Sequence, residues 1–171
     1  MTTIKRLTPA QLAASVDGLA ALLVDAVEGG ASIGFLDPVG HLEMVAWWRE
    51  LVPGTEAGHV IVFAAREGDE IVGTVQLRRA TLPNALHRAE LSKLVVHRKA
   101  RGRGLGRVLL STAEHAARDL GITLLLLDTE TASPAERLYR ATGWTEVATV
   151  PGYARDPAGV MKPTTFFRKT P

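Results

Sequence analysis

The segment Val95-Val96-His97-Arg98-Lys99-Ala100-Arg101-Gly102-Arg103-Gly104-Leu105-Gly106 places three glycines, alternating with larger residues, between a β-type run and a run with helical spacing. Glycine tolerates positive φ and lets a backbone approach a ligand closely. The first N–H groups of a helix have no intrahelical partner, and the helix dipole adds partial positive charge there. A glycine-rich turn opening a helix is therefore a cradle for phosphate oxygens, with Arg101, Arg103 and Arg107 able to add charge-assisted bonds. Two better-known cradles are excluded. A P-loop needs a Gly-Lys pair, and none exists; the dinucleotide fingerprint needs glycine where Arg107 stands. The pattern present is Arg-x-x-Gly-x-Gly, carried by Arg101, Gly104 and Gly106.

Charge supports this placement. The 171 residues carry 20 Lys+Arg and 18 Asp+Glu, a formal +2. Yet Leu91 to Ala113 contains no acid and six bases, leaving the remainder of the chain net acidic. The basic stretch lacks the interleaved aromatics and motifs of a nucleic-acid surface, so no nucleic-acid partner is expected. Apolar residues at 46% suffice for a core. There are no cysteines, which excludes disulfide scaffolds, thiolate metal sites and a thiol nucleophile. The five histidines lack metal-ligand spacing, and no metal is expected. No signal peptide and no membrane span are read, so a cytoplasmic location is expected.

Outward from the turn, the pattern alternates strands and helices. Thr8-Pro9-Ala10-Gln11 reads as a capping box opening a helix closed by Gly29-Gly30. Asp37-Pro38 reads as a second helix start, with Leu42, Val45, Ala46 and Trp48 inside that helix and Pro53 beyond its end. Val60–Ala65 and Ile71–Leu77 read as a hairpin, and Ala89–Val96 as the next strand. The helix after the turn has the stripe Leu105, Val108, Leu109, Thr112, Ala116 and Leu120. Thr123–Leu127 reads as a buried strand, and Ser133-Pro134-Ala135-Glu136 as a capping box on a short helix ended by Gly143. Trp144–Val150 and Thr164–Arg168 read as final strands joined by a Pro/Gly-rich loop. The expectation is one α+β domain spanning residues 1–171, with a mixed, mostly antiparallel sheet flanked by helices.

Leu94-Val95-Val96 before the turn, Arg101-x-x-Gly104-x-Gly106 in it, Leu126-Leu127-Asp128, and the run Ala135 to Trp144 together resemble the GNAT superfamily of N-acetyltransferases. A narrower likeness, to acetyltransferases of the tabtoxin-resistance type, rests on Gly29–Phe35, Arg88-Ala89-Glu90, Leu127-Asp128-Thr129-Glu130 and Pro151-Gly152-Tyr153. The resemblance implies an enzyme that moves an acetyl group from acetyl-CoA to a small-molecule amine, an amino-acid-like toxin or antibiotic among the candidates, by direct attack in a ternary complex, with a resistance role. Acetylation of a protein or peptide amine, and a non-catalytic coenzyme-A sensor, are the alternatives.

The same resemblance implies roles for particular residues. Backbone N–H groups around Arg101, Gly102, Arg103, Gly104, Leu105, Gly106 and Arg107 would hold the pyrophosphate. Leu94, Val95 and Val96 would pair with the pantetheine arm and face the thioester carbonyl. Tyr139 would protonate the leaving thiolate, and Glu90 or Asp128 would serve as base. The family often has Asn where Ala132 stands, with Ser133 beside it; Ser133 is most simply a helix N-cap, though a cofactor contact is expected at this point. Phe35 and Tyr153 are the expected acceptor-side aromatics, on segments Gly29–Asp37 and Val150–Pro163, with Trp47 and Trp48 nearby and Glu28, Asp37 and Glu43 available to a cationic amine. Monomer or homodimer is expected.

Overall fold

Seven strands form one sheet in the order β1-β2-β3-β4-β5-β7-β6. The computed structural model describes the whole chain, Met1–Pro171. The strands are β1 (Thr2–Arg6), β2 (Val60–Glu67), β3 (Glu70–Arg79), β4 (Arg88–Val96), β5 (Leu124–Glu130), β6 (Thr145–Arg155) and β7 (Met161–Lys169). Only β4 and β5 run parallel; all other neighbours are antiparallel. The helices are α1 (Pro9–Glu28), α2 (His41–Arg49), α3 (Val52–Glu56), α4 (Leu105–Asp119) and α5 (Pro134–Ala141). This is the expected α+β architecture.

Helices cover both faces of the sheet. Leu12, Val16, Leu19 and Leu23 of α1 pack with Met44, Val45 and Trp48 of α2 over Val62, Ala64 and Val95. On the other face, Leu105, Leu109, Leu110, Ala113 and Ala117 of α4 and Tyr139 of α5 pack over Phe63, Val75, Leu77, Leu125, Leu127 and Phe167. Burying each of these large side chains contributes about 1.5–3 kcal/mol. The α4 stripe is thus broader than the expected one. Val108 is exposed, and Ala113 and Ala117 face the sheet, because their small side chains let the helix approach closely.

The capping box on α1 forms as read. The Thr8 hydroxyl accepts from the Gln11 N–H, and the Gln11 side chain accepts from the Thr8 N–H. The box on α5 forms by half. Ser133 accepts from Glu136 N–H at 3.1 Å, but the Glu136 carboxylate reaches the N–H of Ala132 instead.

Four further expectations are corrected. Asp37 does not cap α2, whose N-cap is Gly40; the Asp37 N–H donates to the Pro157 carbonyl, and this tertiary bond fixes it outside the helix. Pro53 does not merely follow a helix end but opens the extra turn α3. The Pro/Gly-rich segment after Val150 is mostly strand. The β6–β7 register jumps between Val150 and Ala154, and Pro151 sits in that irregularity, where no ladder N–H is needed. Finally, α1 does reach the length and apolarity of a membrane span, at a mean hydropathy of 1.5, but uses its apolar face in the core.

Candidate active site

The sheet splits at one place. β4 and β5 are paired only where Arg88, Ala89 and Glu90 face Leu124, Leu125 and Leu126. Beyond that point β4 continues to Val96 and β5 to Glu130 without meeting. Each strand therefore offers an edge of unpaired backbone groups to the gap. The glycine-rich turn lies at the end of β4, directly above this gap.

The turn has the geometry of a cradle. Gly102 and Gly104 have φ of +76° and +78°, and no other atom lies within 4 Å of where a Cβ on either would stand. A side chain there would be strained by the backbone conformation, while the space above stays open to a ligand. Gly104 caps α4 in the left-handed conformation, with no side chain bonded to the helix N-terminus. The N-termini of α1 and α5 are closed by Thr8 and Ser133; that of α4 keeps its N–H groups free. The open cradle and the strand gap below it suit the phosphates and extended arm of acetyl-CoA.

The arginines serve this cradle less directly than expected. Arg101 donates through Nε to the Val96 carbonyl at 2.9 Å, so it braces the turn. Arg103 pairs with Glu67 at 3.1 Å. Arg98 is held by Asp25 at 2.8 Å and by Glu28 at 3.3 Å. Arg107 is exposed beside the cradle. Burial pushes the Asp25 carboxyl up, but the Arg98 N–H, the Arg98 guanidinium and His97 hold it below the usual carboxylate range. Asp25 thereby ties the end of α1 to the start of the turn.

The opposite side of the gap carries the carboxylates. Ala89 and Leu91 belong to the α4-side core, so by strand alternation Glu90 and Ser92 face α1 and α2. Leu125 and Leu127 belong to the same core, so Leu126 and Asp128 also face α1 and α2. Since Glu90 is in register with Leu126, the two acids share one face at the lip of the split. Asp128 is exposed at the lip, yet partial desolvation raises its carboxyl above its ordinary value, against the pull of Lys93. Tyr139 is 5% exposed and packs edge-on against Trp144. Burial and the charge of Asp128 raise its phenol well above the ordinary value. Of the two expected base candidates, Asp128 is thus the one whose charge reaches the expected acid.

Leu94 and Val96 are half-buried, and Val95 is packed in the core, which leaves its backbone as the available group. Ser133 is engaged as N-cap and lies 3.3 Å from the Thr129 hydroxyl. Trp48 is wholly buried. Phe35 packs edge-on against Trp47, and Tyr153, half-exposed, against Phe166. The bond from Asp37 to Pro157 joins the Phe35 loop to the end of the β6–β7 hairpin.

One residue of this site was not singled out from the sequence. β4 contains a bulge: Thr74 faces Val95 and Gln76 faces Ser92, so Lys93 and Leu94 together oppose Val75. Lys93 takes φ of 50°, and its Nζ lies 5.6 Å and 5.3 Å from the ring centres of Phe35 and Trp47. The only advance signal was its place three residues after Glu90.

The acetyltransferase (GNAT) family model matches residues 25–144. Solved structures resemble the whole chain. An N-acetyltransferase from Staphylococcus aureus Mu50 is 17% identical, with 99% of this chain and 98% of that one covered at a TM-score of 0.80. A ribosomal-protein-alanine N-acetyltransferase from Brucella melitensis is 25% identical, with 99% of each chain covered at 0.76. A Salmonella typhimurium protein solved with its cofactor acetyl-CoA is 23% identical, with 99% and 94% covered at 0.79.

Proposed function

We propose that this chain, which belongs to the acetyltransferase (GNAT) family, acetylates a primary amine of a small molecule by direct attack in a ternary complex. It is an acyltransferase, and acetyl-CoA is its acyl donor. The observation that carries the reading is the split between β4 and β5, with Glu90 and Asp128 on one face of its lip. The narrower likeness to tabtoxin-resistance-type acetyltransferases, in which such acids form a pair, also supports a small acceptor.

Bound acetyl-CoA supplies the acetyl group as an activated thioester. The uncapped N–H groups at the start of α4 hold its pyrophosphate. The free edge of Leu94 to Val96 aligns the pantetheine arm by strand-like bonds, and an N–H near Val95 or Val96 steadies negative charge on the carbonyl oxygen. An amine with a pKa near 10 is about 99.9% protonated at pH 7 and cannot attack. Glu90 attracts the ammonium, and Asp128, whose carboxyl is raised, takes the proton. Tyr139, whose phenol remains protonated, donates toward the departing sulfur. Every group comes from one copy of the chain, so a monomer or a homodimer serves equally.

The test is thiol release from acetyl-CoA with a panel of small primary amines. The expected result is saturable turnover of at least one small amine, faster than that of alanine-initiated peptides. The second reading, a protein N-terminal acceptor, is favoured by the 25% likeness to the Brucella enzyme. Turnover of such peptides alone would establish it instead.

A further inference from the structure

Lys93 faces two aromatic rings but has no carboxylate or carbonyl in contact with its ammonium. In a regular strand Lys93 would follow Ser92 onto the α4 face. The bulge turns it back toward α1 and α2, where its ammonium stands over Phe35 and Trp47 and within 3.6 Å of the Cβ position of Gly34. No hydrogen bond or ion pair engages it. Asp128 and Glu90 attract it only from beyond contact, and Arg78 repels it. Its surroundings are polar and unsatisfied too. Gln76 and Ser92, paired across β3 and β4, are buried with both amide atoms and the hydroxyl lacking partners. Arg78 and Glu90 form the next pair on the same face.

The face above the split thus carries two cations, Arg78 and Lys93, and two anions, Glu90 and Asp128, and Lys93 feels the charge of the other three. A plain monoamine answers the anions and leaves Lys93 bare in an aromatic setting. A peptide N-terminus does the same, since a neutral amide carbonyl follows its amine. We propose that Lys93 binds a carboxylate of the acceptor, and is the residue that selects a zwitterionic amine, of the amino-acid-like kind the resemblance implies, over a plain monoamine. The inference rests on the reading of this cleft as the amine site. In it, Lys93 determines specificity: the carboxylate sits against the Lys93 ammonium while the amino group faces Glu90 and Asp128. Burial of Lys93 sharpens the preference, because a desolvated ammonium gains more from an incoming anion than a hydrated one does.

The experiment compares free α- and ω-amino acids with their own amides and methyl esters, using the purified chain, acetyl-CoA and thiol release. For at least one pair, the free acid is expected to exceed its amide in kcat/KM by about tenfold or more, chiefly through KM. In Lys93→Met that ratio collapses to about one; in Lys93→Arg part of it returns. Thermal melting and acetyl-CoA titration check that both variants are folded. Equal turnover of acids and amides by the unmodified chain would overturn the inference alone. So would loss of acid and amide by the same factor in Lys93→Met. Turnover of no small amine, with acetyl-CoA still bound, would overturn the proposed function and this inference with it.

Discussion

The cradle and the proposed acceptor pocket lie along the same strand, yet they are made of different material. The cradle is backbone: two glycines at positive φ and an uncapped helix N-terminus. Its nearby arginines are mostly turned to protein partners, Arg101 to Val96, Arg103 to Glu67 and Arg98 to Asp25. The acceptor pocket is side chain. Gln76 and Ser92 stand there without hydrogen-bond partners and Lys93 without an ion pair, and the placement of Lys93 follows from one extra residue in β4. A cofactor common to a whole family can be met by backbone geometry that tolerates sequence change. An acceptor particular to one enzyme is met by side chains left unsatisfied until it arrives.

This contrast can be broken in order of expected effect. Glu90→Gln and Asp128→Asn should each lower kcat/KM for the amine by about 100-fold or more, with acetyl-CoA affinity by calorimetry nearly unchanged. A loss of cofactor affinity instead would erase the division. The direction of the Asp128 shift also sets a pH profile. Its basic form is the carboxylate, so activity rises with pH through its pKa, and that limb should lie above the ordinary aspartate value of 3.8. Removing the Lys93 charge should move it higher still, since that charge favours the carboxylate.

Gly104→Val should act in the opposite sense. The left-handed conformation costs a side-chain-bearing residue about 1–2 kcal/mol, so acetyl-CoA should bind about tenfold more weakly, with the amine KM little changed. Unaltered cofactor affinity in a calorimetric titration would show that the cradle does not depend on this backbone.

Asp25→Asn tests the brace behind the cradle. It should cost about 1–2 kcal/mol in urea unfolding at pH 7. Because the folded Asp25 carboxyl is held low, its contribution is present above the ordinary pKa of 3.8 and is lost as pH falls through the folded value. The gap between the two proteins should therefore narrow in acid.

The smallest effect is a gain. Ala132 sits at φ of 65°, a conformation that Asn accepts more readily. Ala132→Asn should add about 0.5 kcal/mol, or roughly 1–2 °C in Tm.

The two regions also differed in how much of them could be read beforehand. Glycines that must take positive φ announce a cradle, and Thr8 and Ser133 announce helix starts, because only a few residue types meet those local demands. The strand order and the common face of Glu90 and Asp128 could not be read this way, since they depend on the register of strands far apart in the chain. The Lys93 bulge had no such marker: lysine is an ordinary strand residue, and the left-handed conformation is imposed by pairing with β3. The α4 stripe was read in part: Leu105, Leu109, Ala116 and Leu120 pack in or against the core as expected, while Val108 is exposed and Leu110, Ala113 and Ala117 broaden the buried face. The end of β6 was hidden by Pro151 and Gly152, which read as loop but occupy a register break on an edge strand.

The brief contact between β4 and β5 has a consequence for how the molecule breathes. Backbone continuity between the β1–β4 and β5–β7 halves rests on three register pairs, so side-chain packing carries most of the cohesion across that seam. Amide protons on β4 beyond Leu91 that face the gap have no partner strand and exchange with solvent quickly in the free protein. A bound donor bridges the two edges and slows that exchange. Its binding free energy adds to global stability, growing with the logarithm of its concentration.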